Sequence, residues 1–417
     1  MRRCIALSVA LLASAPSLAR AAAGTAFADT ARVTALGYAV TARPGDPGTM
    51  LRNPAGLADV REPTILAGAQ ALGIVASFAR TGEPAEDRSR FTGSYSVAAA
   101  TPLPGILRDV RVGVALDLPA GYVLRVAVPV RNDTPQSPFY EGRPDRVSAL
   151  FAAGFPIFQS LRVGFGLAVV PSLATPTEVT YVAGRDPSVD RSVVVRLERD
   201  LDVRVVPFFG IRATPTRALS LGFSYRGVAF SRARGSQRTV AGGIVADDPV
   251  DFLQFWDPET ITLGGALSLG PRVSVSTDVA IARWSRFKSG RDDAVDPRFR
   301  DTLAVRAGVE VRGTRWLALR AGGGVESNPV PEQRRETNYL GASTIMLGGG
   351  AGFDLRPARV PLSVDLQVSG FFGPTQTATK DASPGDVVSN LGYPGFSASA
   401  GAVQFGLTVT LFAGGLK

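Results

Sequence analysis

The 417-residue chain contains no histidine. That absence removes the commonest general base and the commonest metal ligand together. Hydrolases built on a Ser-His pair and zinc sites built on Cys and His are excluded. Catalysis would have to rest on Asp, Glu, Lys or Tyr, and no paired constellation of these stands out. The chain reads as a non-enzyme with no cofactor and no metal site. Cysteine is almost as scarce: Cys4 is the one occurrence. It lies inside an N-terminal leader and lacks the preceding apolar residues of a lipoprotein signal. The chain beyond the leader therefore has no thiol and can form no disulfide.

Long hydrophobic runs are also missing. Residues 1–3 carry charge, residues 5–18 are apolar, and Ala19 and Ala21 to Ala23 are small. This is the pattern of a secretory signal peptide, too short to span a bilayer as a helix. It assigns 1–23 to a signal peptide cleaved near Ala23. No later stretch is long enough for a spanning helix.

What is present instead is alternation. Strands are expected near 64–79, 91–102, 110–118, 145–156, 160–173, 191–213, 217–236, 250–269, 271–286, 299–312, 315–327, 339–355, 360–372 and 397–412. Leu161, Val163, Phe165, Leu167 and Val169 share one face. Val273, Val275, Val279 and Ile281 oppose Ser274, Ser276 and Asp278, and Leu362, Val364, Leu366 and Val368 oppose Asp365 and Gln367. The connections alternate too. Short links fall at 103–109, around Gln159, at Pro215 and Thr216, at Gly270, at Gly313 and Thr314, and at 356–359. Long ones include 119–144, 174–190, 287–298 and 373–396. Tight turns at one end and long loops at the other are the pattern of a transmembrane antiparallel β-barrel of about 14 strands in a bacterial outer membrane. A soluble sandwich could alternate in the same way, with its apolar face on a core.

Residues 24–63 alternate little and are too few to form a core of their own. Their expected place is the barrel interior, as an N-terminal hatch or plug, which leaves 64–412 for the barrel and 413–417 as a C-terminal tail. Small residues recur inside the strand-like runs, leaving room for a close neighbour. The net charge of +9 comes from arginines scattered through turns and alternate strand positions. That scatter argues against nucleic acid as a partner and for lipopolysaccharide phosphates or an anionic ligand. Trp256 and Trp284 are expected near outer strand ends and Trp316 near a periplasmic turn, where amphipathic rings suit a membrane interface.

Four motifs carry a resemblance. They are Asn53-Pro54-Ala55-Gly56-Leu57 before the first strand; Asp257-Pro258-Glu259 leading to Trp284, Ser285 and Phe287; Phe299-Arg300-Asp301-Thr302; and Ser327-Asn328-Pro329-Val330-Pro331, with Tyr225 and Arg226 fitting as well. Together, in this order, they resemble the FadL family of outer-membrane transporters for long-chain fatty acids and other hydrophobic compounds, which includes the TodX-type aromatic hydrocarbon channels. The resemblance implies uptake of a fatty acid or aromatic hydrocarbon by passive, hatch-gated diffusion, with lateral exit through the barrel wall. Gln404, Gly406, Val409 and Leu411 resemble the terminal-strand signal read by the barrel assembly machinery. The family's terminal aromatic residue is followed here by 413–417.

On that footing Asn53, Pro54 and Ala55 become hatch or gating residues: the Asn53 amide can bond backbone groups and Pro54 stiffens the turn. Pro119, Ala120 and Gly121 become the candidate wall kink, since Pro removes a ladder donor and Gly tolerates bulges. Their other reading is the start of a surface loop. Phe139, Tyr140, Phe252, Phe255 and Trp256 are the candidate ligand-binding residues. The alternative function is a general diffusion porin for polar solutes, which needs an unobstructed lumen.

Overall fold

The computed structural model describes residues 29–43, 47–120, 147–174, 177–183, 193–197, 200–241, 244–288, 297–334, 339–381 and 393–414. The strands in chain order are β1 (Thr64–Arg80), β2 (Glu86–Pro102), β3 (Arg111–Pro119), β4 (Ser148–Phe158), β5 (Leu161–Ala174), β6 (Thr177–Ala183), β7 (Val193–Leu197), β8 (Asp200–Ala213), β9 (Leu219–Arg226), β10 (Ala229–Ala241), β11 (Ile244–Asp257), β12 (Thr260–Leu269), β13 (Val273–Ala282), β14 (Thr302–Arg312), β15 (Leu317–Glu326), β16 (Thr344–Asp354), β17 (Leu362–Phe372), β18 (Gln376–Thr379) and β19 (Gly395–Phe412).

Fourteen of these form one antiparallel barrel in the order β1-β2-β3-β4-β5-β8-β9-β12-β13-β14-β15-β16-β17-β19, and β19 pairs back onto β1 to close it. The face each residue takes decides the solvent of this cylinder. Outward positions carry Ile65, Val75, Phe165, Leu167, Leu263, Val279, Leu366 and Val368, all exposed; inward positions carry Gln70, Asp278, Glu310, Gln367 and Gln404, all buried. A soluble sandwich would have the opposite polarity. Leaving such a belt in water would cost about 25 cal/mol for each Å² of apolar surface, whereas a bilayer accepts it. The apolar face of the alternation is the lipid face.

Three expected strands were too long. Residues 191–213 divide into β7 and β8, 217–236 into β9 and β10, and 250–269 into β11 and β12. The breaks have local causes. Pro258 has no N–H to offer a ladder, and at Gly227 the backbone N–H turns aside to the Pro207 carbonyl at 2.9 Å. The pieces beyond the breaks, with β6, make a separate four-stranded sheet in the order β11-β10-β6-β7. The expected loop 373–396 likewise contains β18, which pairs with the outer end of β19.

Residues 29–43 and 47–63 fill the lumen. Val33, Leu36, Tyr38 and Val40 pack with Leu72, Met346, Phe371 and Ala402 of the wall. Met50, Leu57 and Val60 pack with Leu66, Leu150, Val170 and Phe208. The segment borrows its core from the inner face of the barrel.

Candidate functional site

The hatch consists of a short helix, Ala31–Ala35, and two 3-10 turns, Pro47–Thr49 and Pro54–Asp59. Each piece is capped by its own sequence. Thr30 caps the helix by accepting from the Val33 N–H at 3.3 Å, and Asn53 caps the second turn by accepting from the Ala55 N–H at 3.0 Å, with Pro54 at the first helical position, where no N–H is needed. The Asn53 amide also donates to the Thr41 carbonyl at 2.7 Å and to the Ile211 carbonyl of β8 at 3.1 Å. One side chain thus shapes its own turn, joins the two halves of the hatch, and ties both to the wall.

Glycines make that close approach possible. Gly154, Gly164 and Gly210 are cross-strand partners on β4, β5 and β8. A Cβ on Gly164 would lie 2.3 Å from the Pro54 carbonyl carbon, and one on Gly210 would lie 2.0 Å from Asn53 Oδ1. A second pair of partners, Gly308 and Gly322 on β14 and β15, leaves the same clearance for Leu36. Opposite them Gly37, at φ 63°, occupies the left-handed region that glycine enters freely. The small residues noticed inside the strand runs form the bed of the hatch.

Polar anchors complete the docking. Asp278 of β13 accepts from the Val40 N–H (3.1 Å), the Thr41 N–H (3.0 Å) and the Thr41 hydroxyl (2.7 Å). Glu310 of β14 pairs with hatch Arg32 at 3.2 Å and Arg43 at 3.7 Å, and with wall Arg320 at 2.8 Å. Asp59 of the hatch pairs with Arg162 at 2.7 Å and with Arg212. Removing one partner of such a buried group leaves the other uncompensated, so each anchor holds the hatch in one seating.

On the long-loop side of the hatch lies a small cavity of about 60 Å³, lined by Tyr38, Arg52, Arg226, Asp278, Trp284 and Arg306 among others. An aromatic cluster adjoins it. Phe230 stacks on Trp256 at 5.1 Å between ring centroids, Trp256 meets Phe287 edge-on at 5.7 Å, Phe287 stacks on Phe299 at 4.7 Å, and Tyr339 meets Phe299 at 5.1 Å. Trp256 and Trp284 are buried in this cluster and do not belong to a membrane belt. Rings that find aromatic partners on the lumen side gain more by packing there than at an interface. The sequence did not single out Phe230 or Tyr339, though Phe287 and Phe299 sat inside its motifs.

The other candidates fall as follows. Phe252 and Phe255 lie on β11, paired with Ala233 and Ser231 of β10. Phe139, Tyr140 and Gly121 lie outside the described residues. Pro119 pairs with Ser94 at the end of β3, and the Ala120 N–H continues the ladder to the Gly93 carbonyl at 2.8 Å. Among the described residues no group of three or more His, Cys, Asp or Glu could hold a metal ion.

No family model and no curated protein matches this chain. Solved structures do. A Pseudomonas aeruginosa FadL homologue aligns over 97% of this chain and 100% of its own at 15% identity, with a TM-score of 0.63. The P. putida toluene transporter TodX aligns over 91% and 97% at 15% identity and 0.55. The Ralstonia pickettii toluene transporter TbuX aligns over 92% and 98% at 14% identity and 0.51. At these identities the likeness is one of fold: this chain has the architecture of those proteins.

Proposed function

We propose that the protein is an outer-membrane channel for uptake of hydrophobic small molecules. The observation that carries this reading is the stoppered lumen: residues 29–43 and 47–63 sit inside the barrel, bonded to β8, β13 and β14, below an aromatic cluster and its cavity. A diffusion porin needs an open aqueous bore, and this arrangement favours the opposite. An apolar molecule gains nothing from bulk water and moves between sheltered sites, each step offsetting about 25 cal/mol per Å² of exposure.

In this mechanism the ligand is captured among the long loops, with Phe139, Tyr140, Phe252 and Phe255 as candidate contacts, and is passed along the cluster that contains Trp256. It then enters the cavity above the hatch. The sequence had too many arginines to choose a carboxylate partner. The cavity lining contains Arg52, Arg226 and Arg306; Arg306 faces Glu326 at 3.6 Å and Arg52 is paired with Asp29, so a carboxylate would have to share or displace those partners. An aromatic hydrocarbon would use the rings alone, a fatty acid both. Exit follows a shift of the hatch about Asn53, Pro54 and Ala55, with a lateral opening beside Pro119, Ala120 and Gly121 as the route into the membrane.

Planar-bilayer recording tests the closed lumen: the expected result is a nearly silent protein, and a large steady ionic conductance would establish the porin instead. Mass spectrometry of small molecules co-purifying with detergent-extracted protein would name the cargo. For the gate, Asn53→Ala removes three hydrogen bonds, each worth about 0.5–1.5 kcal/mol. It should lower uptake while the barrel still assembles; unchanged uptake counts against gating by this residue.

A further inference from the structure

The short-turn end of the barrel, which faces the periplasm in a barrel of this kind, opens into a second cavity of about 980 Å³. Its lining contains eight arginines and one carboxylate, Glu310. Four of the arginines are held: Arg32 and Arg43 by Glu310, and Arg162 and Arg212 by Asp59. The other four, Arg61, Arg217, Arg272 and Arg312, are exposed and make no ion pair among the described residues. Much of the chain's net charge of +9 is therefore gathered at one mouth.

The arrangement says what could occupy it. Arg217 lies in the β8–β9 turn, Arg272 in the β12–β13 turn, and Arg312 ends β14 where the β14–β15 turn begins. These are three successive turns around the rim, and none of the turn residues 214–218, 270–272 and 313–316 is acidic. Strands stand about 4.8 Å apart, so turns two strands apart are separated by about 10 Å. A single phosphate or carboxylate is too small to bridge such a gap. An extended peptide in the polyproline II form advances about 3.1 Å per residue with about three residues per turn, so acidic side chains three residues apart share a face and match the spacing. Lipid headgroups are the poorer fit, because these arginines line the lumen mouth and not the lipid face.

We propose that this mouth is a docking surface for an acidic polypeptide segment of a periplasmic partner. The inference does not depend on what passes through the barrel. Like charges held around a rim repel one another, Asp354 acting on Arg312 alone of the three, and a polyanion relieves that repulsion while gaining steering and register.

The test uses the full chain in detergent and a fluorescent deca-glutamate peptide read by anisotropy, with pyrophosphate as a small-anion competitor. The peptide should bind, and its affinity should fall steeply between about 20 mM and about 200 mM salt. The triple variant R217Q/R272Q/R312Q should bind about tenfold more weakly, because exposed pairs each contribute a factor of about two to three. The triple lysine variant R217K/R272K/R312K keeps the charge and should bind within about threefold of the parent. Heat-modifiable electrophoretic mobility verifies that each barrel is folded. Equal binding by the glutamine variant overturns the proposal. So does pyrophosphate competing as well as the peptide, which would mark a small-anion site. Loss of peptide binding in phosphatidylglycerol nanodiscs, but not in zwitterionic ones, would also overturn it by assigning the arginines to lipid.

Discussion

A single methyl group measures how closely the hatch is seated. At Gly164 an added Cβ would meet the Pro54 backbone at 2.3 Å, and backbone cannot rotate out of the way as a side chain can. Gly164→Ala should therefore cost about 1–3 kcal/mol of overpacking, felt as displacement of the hatch. The expected result is a folded barrel with raised ionic conductance. Gly265→Ala is the control, since its Cβ would find nothing closer than 3.9 Å; a conductance rise there as well would sink the idea that seating depends on the glycine bed. Recurrent glycine was visible in the sequence, and so was the Asn53-Pro54 turn. Which glycines face the hatch was not, because that follows from cross-strand register, a property of pairs of strands distant along the chain.

Among elements, β13 is the strand that holds the hatch most directly. Asp278→Ala would strip the bonds to Val40 and Thr41; the Val40 N–H keeps the Tyr38 carbonyl at 3.0 Å, while the buried Thr41 N–H and hydroxyl are left unmet at about 1–3 kcal/mol apiece. Hydrogen exchange of the Thr41 amide should rise, while strand amides on the far wall, such as β2, stay protected. At the opposite end, beyond β18, burial lowers the Lys380 ammonium from 10.5 to about 8, beside the Phe396 ring at 5.7 Å. The sign follows from which form burial disfavours. Below pH 8 the charged amine is penalised in the folded protein. The penalty is relieved as pH rises from about 8 toward 10.5, so local stability of this outer rim increases through that window. The chain has three lysines, Lys288, Lys380 and Lys417, so pH-dependent amine acylation read by peptide mapping should give Lys380 a midpoint near 8. A midpoint near 10.5 would show that it is solvated. The strands beyond Pro258 and Gly227 show the limit of reading elements locally. Alternation continues across both breaks, and only the lost or diverted N–H reveals that β11 and β10 leave the barrel for another sheet.

For the whole molecule, the cork and the cylinder are separable in principle, because the wall's hydrogen-bond ladder closes through β1 and β19 without the hatch. Deleting residues 29–63 should leave a barrel with heat-modifiable mobility and a large, steady conductance. A barrel that stays silent would mean that something other than the hatch closes it. Parity along each strand is a local quantity, since successive side chains point to opposite faces whatever lies beyond. The cylinder, its fourteen strands, its alternating connections and a leftover segment too small to fold alone were therefore readable in chain order. Which wall groups grip that segment was not readable: Asp278 looks like any polar lumen residue until closure brings it against Val40, 238 positions away. The aromatic cluster and the arginine mouth depend on closure in the same way. Each gathers residues from strands and turns that become neighbours only when the sheet curls and its register is set.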